Sequence, residues 1–346
     1  MHDGNGFEDL SFKAVPAAML LSAIFGALVL GCAKRQPGPT QIIFVDDAFG
    51  VQKVDLGSMR IVNSYRSTTE QRGYRARFLA KHGEGIIAAQ ERFDQSDGKS
   101  KTDIEVLNGN TAPGSRLFSI SGSGVAQAIG GGSLIFNDRL ADNVTTFTYA
   151  GKLLGRDSLE SPTSVVLLDP GRVAVSGLSR LRIYSNSTLR KYVDLPIRGA
   201  WPTLFFNNMI VAGIKDERTP ELGAPMTLAM FDAVSGAKIA YLPRPNGINS
   251  IVAGPSNLVF VSDSDCNKNT GSIVAYDLLA KSIKWESTNI SPPLFLFKFG
   301  EALWAIEVCD GGSGQLVRLD NKTGKVMSRS DVGLRKANHV SDGGPN

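Results

Sequence analysis

Short stretches of alternating apolar and polar residues recur along this chain, each closed by an aspartate and a small polar turn. The clearest are Leu228-Ala-Met-Phe-Asp232-Ala-Val-Ser-Gly236, Ile273-Val-Ala-Tyr-Asp277-Leu-Leu-Ala-Lys281 and Leu316-Val-Arg-Leu-Asp320-Asn-Lys-Thr-Gly324. Two-residue alternation builds a half-buried strand, and Asp and Gly accept the dihedrals of a tight turn, so each stretch predicts the first strand of a hairpin. Weaker copies end at Asp55, Asn108, Ala150 and Asn186, and successive separations from Asp55 to Asp320 are 53, 42, 36, 46, 45 and 43 residues. That spacing fits a four-stranded propeller blade of roughly 40 to 50 residues.

A further strand is predicted upstream of each hairpin, at Ile42 to Val45, Gly85 to Gln90, Ser133 to Phe136, Arg172 to Ser176, Met209 to Ile214, Asn257 to Ser262 and Ala302 to Val308. Six of these are preceded by an innermost strand, for example Thr163 to Leu168, Pro202 to Phe206, Ile248 to Ala253 and Pro293 to Phe299. The first repeat lacks one. The C-terminal segment Lys336 to Asp342 is expected to supply it and sew the ring shut, which protects edges that would otherwise template aggregation. No run of 12 or more residues after Cys32 has helical periodicity, so the predicted fold is all-β: one propeller over residues 41–342, with seven blades and a flexible tail at 343–346. The strand-turn-strand repeats resemble bacterial β-propellers of the quinoprotein-like and YVTN-repeat kind. The tryptophan docking motifs of quinoprotein dehydrogenases are absent, because Trp201, Trp285 and Trp304 occupy unlike positions in their repeats.

The N-terminal region follows another pattern. An 18-residue apolar run, Ala14 to Gly31, ends in Val29-Leu30-Gly31-Cys32 and gives way to Ala33-Lys34-Arg35-Gln36-Pro37. This resembles a bacterial lipoprotein signal. The resemblance implies a signal peptide at 1–31, a diacylglycerol on Cys32, and a tether at 32–40 that holds the domain to a membrane through roughly 0.8 kcal/mol per buried CH₂. Ala33 resembles the sorting pattern of Gram-negative outer-membrane lipoproteins, so the expected location is that membrane, facing the periplasm or the cell surface. An uncleaved anchor is the alternative, since 18 apolar residues meet the lower limit for crossing a ~30 Å hydrocarbon core.

Processing before Cys32 would leave 315 residues with 36 basic and 30 acidic side chains, a net charge of +6. That excess is dilute and unclustered, which argues against a nucleic-acid partner. Cys266 and Cys309 each follow the second strand of neighbouring repeats, and an exported location permits a disulfide between them. Acids gather in the same places: Asp46 and Asp47, Glu91 and Asp94, Asp138, Asp216 and Glu217, Asp263 and Asp265, and Asp310. Two readings stand for them, a partner-binding face at the mouth of the central channel, or aspartates chosen because they suit turns. The run Asp263-Ser-Asp265-Cys-Asn267-Lys-Asn269 has alternating oxygen ligands, but Lys268 stands where a calcium loop needs glycine and Val274 where it needs an acid. A polar turn is expected there, with no metal. His82 and His339 are placed near the channel without a carboxylate or ligand set, so no catalytic residue and no cofactor is assigned. The expected function is a membrane-tethered propeller that binds or assembles envelope proteins; the alternative is a channel-centred enzyme or a binder of a carbohydrate or peptidoglycan fragment.

Overall fold

The computed structural model divides the chain into two compact units, Met1–Thr40 and Gln41–Asn346. It describes residues 41–341 apart from 48–49, 67–75, 95–98, 110–113, 170, 186, 199, 201–202, 216–225, 243–246, 266–269, 289, 308–313 and 335–339. The second unit is all-β: twenty-eight strands form seven four-stranded antiparallel sheets, and the described residues contain no α-helix.

Six sheets are simple meanders of consecutive strands, over 76–121 (blade 2), 124–158 (blade 3), 164–195 (blade 4), 203–241 (blade 5), 248–287 (blade 6) and 293–334 (blade 7). Blade 1 takes three strands from 42–66 and its innermost strand from the other end of the chain: Val340–Ser341 pairs antiparallel with Ile42–Asp47, Val45 opposite Val340 and Phe44 opposite Ser341. The expected closure is therefore present.

Burial explains the composition of each strand position. A second strand has a blade on either side of it, so both of its faces are covered and it reads as a nearly continuous apolar run, as in Ser133–Asp138, which is buried throughout. Outermost strands have free edges and alternate exposed with covered positions, as in Arg60–Arg66. The core is seven separate seams, each shared by two successive blades. Phe44 and Tyr65 of blade 1 pack on Phe78 and Ile86 of blade 2, with the Phe44 and Phe78 rings stacked at 4.4 Å. The last seam joins Trp304 and Ile306 of blade 7 to Ile43 and Val45 of blade 1, which closes the ring.

The repeated aspartate is a turn device. In the turn between third and fourth strands, Asp232 Oδ1 accepts the backbone N–H groups of Val234 (3.1 Å) and Ser235 (2.7 Å). Asp277 does the same for Leu279 and Ala280, both at 3.0 Å, and Asp320 for Lys322 at 2.7 Å. Four residues after each aspartate the backbone is left-handed, at Gly236 (φ 71°), Lys281 (φ 52°) and Gly324 (φ 71°).

Candidate functional site

A meander of four strands has two unlike ends. Turns between strands one and two and between three and four lie at one end, here the turn face. Loops between strands two and three, with the connections from blade to blade, lie at the other, the loop face. Backbone bonds tie the two kinds of turn together: Leu56 N–H donates to Gln41 O (2.8 Å), Tyr149 N–H to Gly132 O (2.9 Å), Ala233 N–H to Asn208 O (3.2 Å) and Leu278 N–H to Asn257 O (3.0 Å). Gln41, where the chain enters the propeller, is therefore on the turn face.

The acids expected to ring the loop face are in large part strand residues. Second strands run on past their expected ends, to Asp47, Asp94, Asp138 and Asp265. The alternation then turns Asp46 and Asp138 inward, and they are only 3% and 4% exposed. Asp138 Oδ1 accepts N–H from Leu140 (3.0 Å) and Ala141 (3.1 Å), shaping its own loop. Asp46 lends its charge to Arg77, on the innermost strand of blade 2, whose pKa burial nonetheless lowers to about 10. Arg77 Nη2 also donates to Gln127 Oε1 of blade 3 at 3.2 Å. Glu91 sits on the facing strand and accepts from Ser123 Oγ at 2.6 Å. Asp263 is half-buried two residues short of the end of its strand. The side chains of Asp47, Asp94 and Asp265, and all of Asp216, Glu217 and Asp310, lie outside the described residues, as do Cys32, Cys266, Cys309 and His339.

His82 ends the innermost strand of blade 2 on the turn face, exposed, with Gly85 as its cross-strand partner. Asp46 and Asp138 lie at the opposite ends of their blades, so His82 does not join them in one site.

Three polar clusters were not signalled by the sequence. Buried Glu307, last residue of a second strand, receives Arg329 Nη2 at 3.1 Å and Ser291 N–H at 3.2 Å on Oε1, while its Oε2 has no partner. Burial raises its pKa, against the pull of Arg329. Buried Asp103 is held by Arg92 Nε and Ser119 Oγ, both at 2.5 Å. Across the seam between blades 3 and 4, Asp157 Oδ2 accepts from Arg182 Nη1 and Tyr184 Oη, both at 3.0 Å, and Arg182 and Arg180 both reach Asp194. Burial pushes the Tyr184 phenol far above its ordinary range, so it remains a neutral donor. The first two groups join different strands of one blade, with partners 11 to 22 residues apart, and only the third pairs residues of different repeats, so local alternation along a strand carries no trace of them.

On the loop face, blades 3 and 4 present an ordered ridge. Leu159 N–H donates to Asp142 O (2.9 Å), Ser161 N–H to Asp142 Oδ1 (2.8 Å), Leu178 N–H to Glu160 O (2.9 Å) and Ser179 Oγ to Glu160 Oε2 (3.1 Å). Leu140 stands on it 79% exposed, with Leu178 also exposed. The turn face differs in charge. Counted from the last two residues of one strand to the first two of the next, its thirteen turns hold 13 basic and 7 acidic residues, whereas the rest of 41–346 holds 21 and 23. Every blade contributes an exposed cation beside its last turn: Arg60, Arg116, Lys152, Arg190, Lys238, Lys281 and Lys322.

No family model and no curated protein matches this chain. Among solved structures it is similar to the computationally designed Ika8 protein (14% identity, 86% of each chain, TM-score 0.59). It is also similar to the dihydro-heme d1 dehydrogenase NirN in complex with DHE (10% identity, 90% of this chain and 77% of that one, TM-score 0.60). Apo AztD from Citrobacter koseri matches at 12% identity over 87% of this chain and 98% of its own, with TM-score 0.51. At such identities the likeness is one of fold.

Proposed function

We propose that this protein is a lipid-anchored propeller of the Gram-negative envelope whose loop face binds a protein partner. The observation that carries the reading is the ridge of blades 3 and 4. It holds an exposed leucine on a hydrogen-bonded scaffold, on the face opposite the one where the chain enters from its N-terminal segment. Exposed apolar side chains fixed in place supply contact area at little cost in ordering. The described acids Asp46 and Asp138 serve seams and turns, so the partner surface is assigned to Leu140, Leu178 and Arg139 instead. The acids outside the described residues remain candidates for its rim. A channel-centred reaction draws less support, because His82 is separated from the buried acids.

The test is site-specific photo-crosslinking in intact envelopes from position 140 and, as control, from Leu153 on an outermost strand. A discrete adduct from 140 that Leu178→Asp abolishes supports the platform. Equal or no adducts from the two positions would sink it. Intact mass of the membrane-extracted protein tests the anchor separately: a start at Cys32 with acyl mass is expected, and an unprocessed N-terminus would replace lipidation by an uncleaved anchor.

A further inference from the structure

From the turn face we infer a second binding surface, one that docks on an anionic phospholipid bilayer. Three observations converge on it. The charge of the propeller is segregated: the turns carry a net +6 and the remainder of 41–346 a net −2. Cations are distributed one or more to each blade around the ring, so a flat negative surface can meet all of them at once, which a compact anion cannot. The same turn template also carries two projecting aliphatic tips on neighbouring blades, Val234 at 69% and Leu279 at 72% exposure. Their backbone N–H groups are held by Asp232 and Asp277, so the side chains are aimed outward by a bonded turn rather than by chance.

Exposed aliphatics among lysines are the composition of a membrane-interface contact. Basic side chains are attracted to an anionic leaflet, and aliphatic tips enter the boundary between headgroups and acyl chains. Gln41, the residue that follows the expected tether, lies on this face. A tether of nine residues reaches at most ~30 Å, so an acyl chain on Cys32 would hold the propeller close to the bilayer. The inference rests on the anchored reading for its cellular setting, while the surface itself stands on the propeller alone.

The test uses residues 41–346, which contain the closing strand and all seven seams, in flotation with vesicles of phosphatidylcholine alone or with about 30% phosphatidylglycerol. Binding is expected only to the anionic vesicles, and is lost at about 0.5 M NaCl, where screening removes the long-range attraction. The triple variant Lys238→Glu, Lys281→Glu, Lys322→Glu should bind more than ten-fold more weakly, and Val234→Ser with Leu279→Ser roughly ten-fold more weakly. Reversing the exposed Arg198 on the loop face should change nothing. Equal binding to both vesicle types, binding to neither, or an equal loss from the loop-face variant overturns the inference. Lipidated Cys32 with no binding by the propeller defeats this surface and leaves the anchor standing; binding with an unprocessed N-terminus does the reverse.

Discussion

The left-handed residue that follows each turn aspartate separates conformational cost from packing. Lys281 holds φ at 52° with an exposed side chain, and Gly324 holds the equivalent position at 71°. A side chain in that region costs roughly 1–2 kcal/mol, part of which glycine loses again through the freedom of the unfolded chain. Lys281→Gly is therefore expected to raise stability by about 0.5–1 kcal/mol in chemical denaturation. Gly324→Ala acts in the opposite direction twice, since an added Cβ would lie 2.5 Å from Trp285 Cε3 as well as in a strained backbone. A loss of about 2–3 kcal/mol follows. Glu307 gives a pH test. Its folded pKa is raised, so the native state holds a proton that the unfolded state has released, and stability falls as pH rises from the ordinary glutamate range through the raised value. Glu307→Gln keeps acceptors for Ser291 and Arg329 and removes the titration. Its melting temperature relative to wild type should climb between those two pKa values and be level below them. The turn aspartates were legible in the sequence because their partners lie two and three residues away. Glu307 was not, because its partner Arg329 lies 22 residues away on another strand of the blade.

At the scale of the strand, a difference of two residues changed the meaning of the predicted acids. Ile42 to Val45 and Ser133 to Phe136 are strand by their apolar pattern, and the acids beyond them look like loop. In the fold the ladders continue, Asp46 pairing with Val51 and Asp138 with Asn143, so the pleat aims both carboxylates into seams. Hydrophobic alternation marks where a strand is apolar, not where its hydrogen bonds stop, and paired polar groups extend it past that point. Seam chemistry is likewise shared between elements. Asp157 on the outermost strand of blade 3 holds Arg182 and Tyr184 on the third strand of blade 4. Asp157→Ala should cost about 1–2 kcal/mol. The double-mutant cycle with Tyr184→Phe should show a coupling of about 0.5–1 kcal/mol; an additive result would mean that the two side chains do not act together across the seam.

Over the whole molecule, the period of the repeats was sufficient to predict seven blades and the closing strand, because each blade must bury both faces against neighbours and a ring leaves no end uncovered. What the period does not contain is the difference between the two faces, which depends on where each charge falls relative to the turns. Closure itself can be tested by where the chain is cut. Ending it after Ser341 keeps Val340 opposite Val45 and should leave the melting temperature unchanged. Ending it after Leu334 removes that pairing, strips Val340 from the seam of blades 7 and 1, and leaves the buried strand Ile42–Asp47 as an open edge. Few hydrogen bonds are lost, but the ring holds blade 1 only through its two seams, and an opened edge also offers unpaired backbone to a second molecule. The expected result is a loss of about 3 kcal/mol, roughly 5–10 °C in melting temperature, together with concentration-dependent association in sedimentation. If the two truncations melt together and stay monomeric, the seams alone close the ring and the terminal strand is dispensable to it.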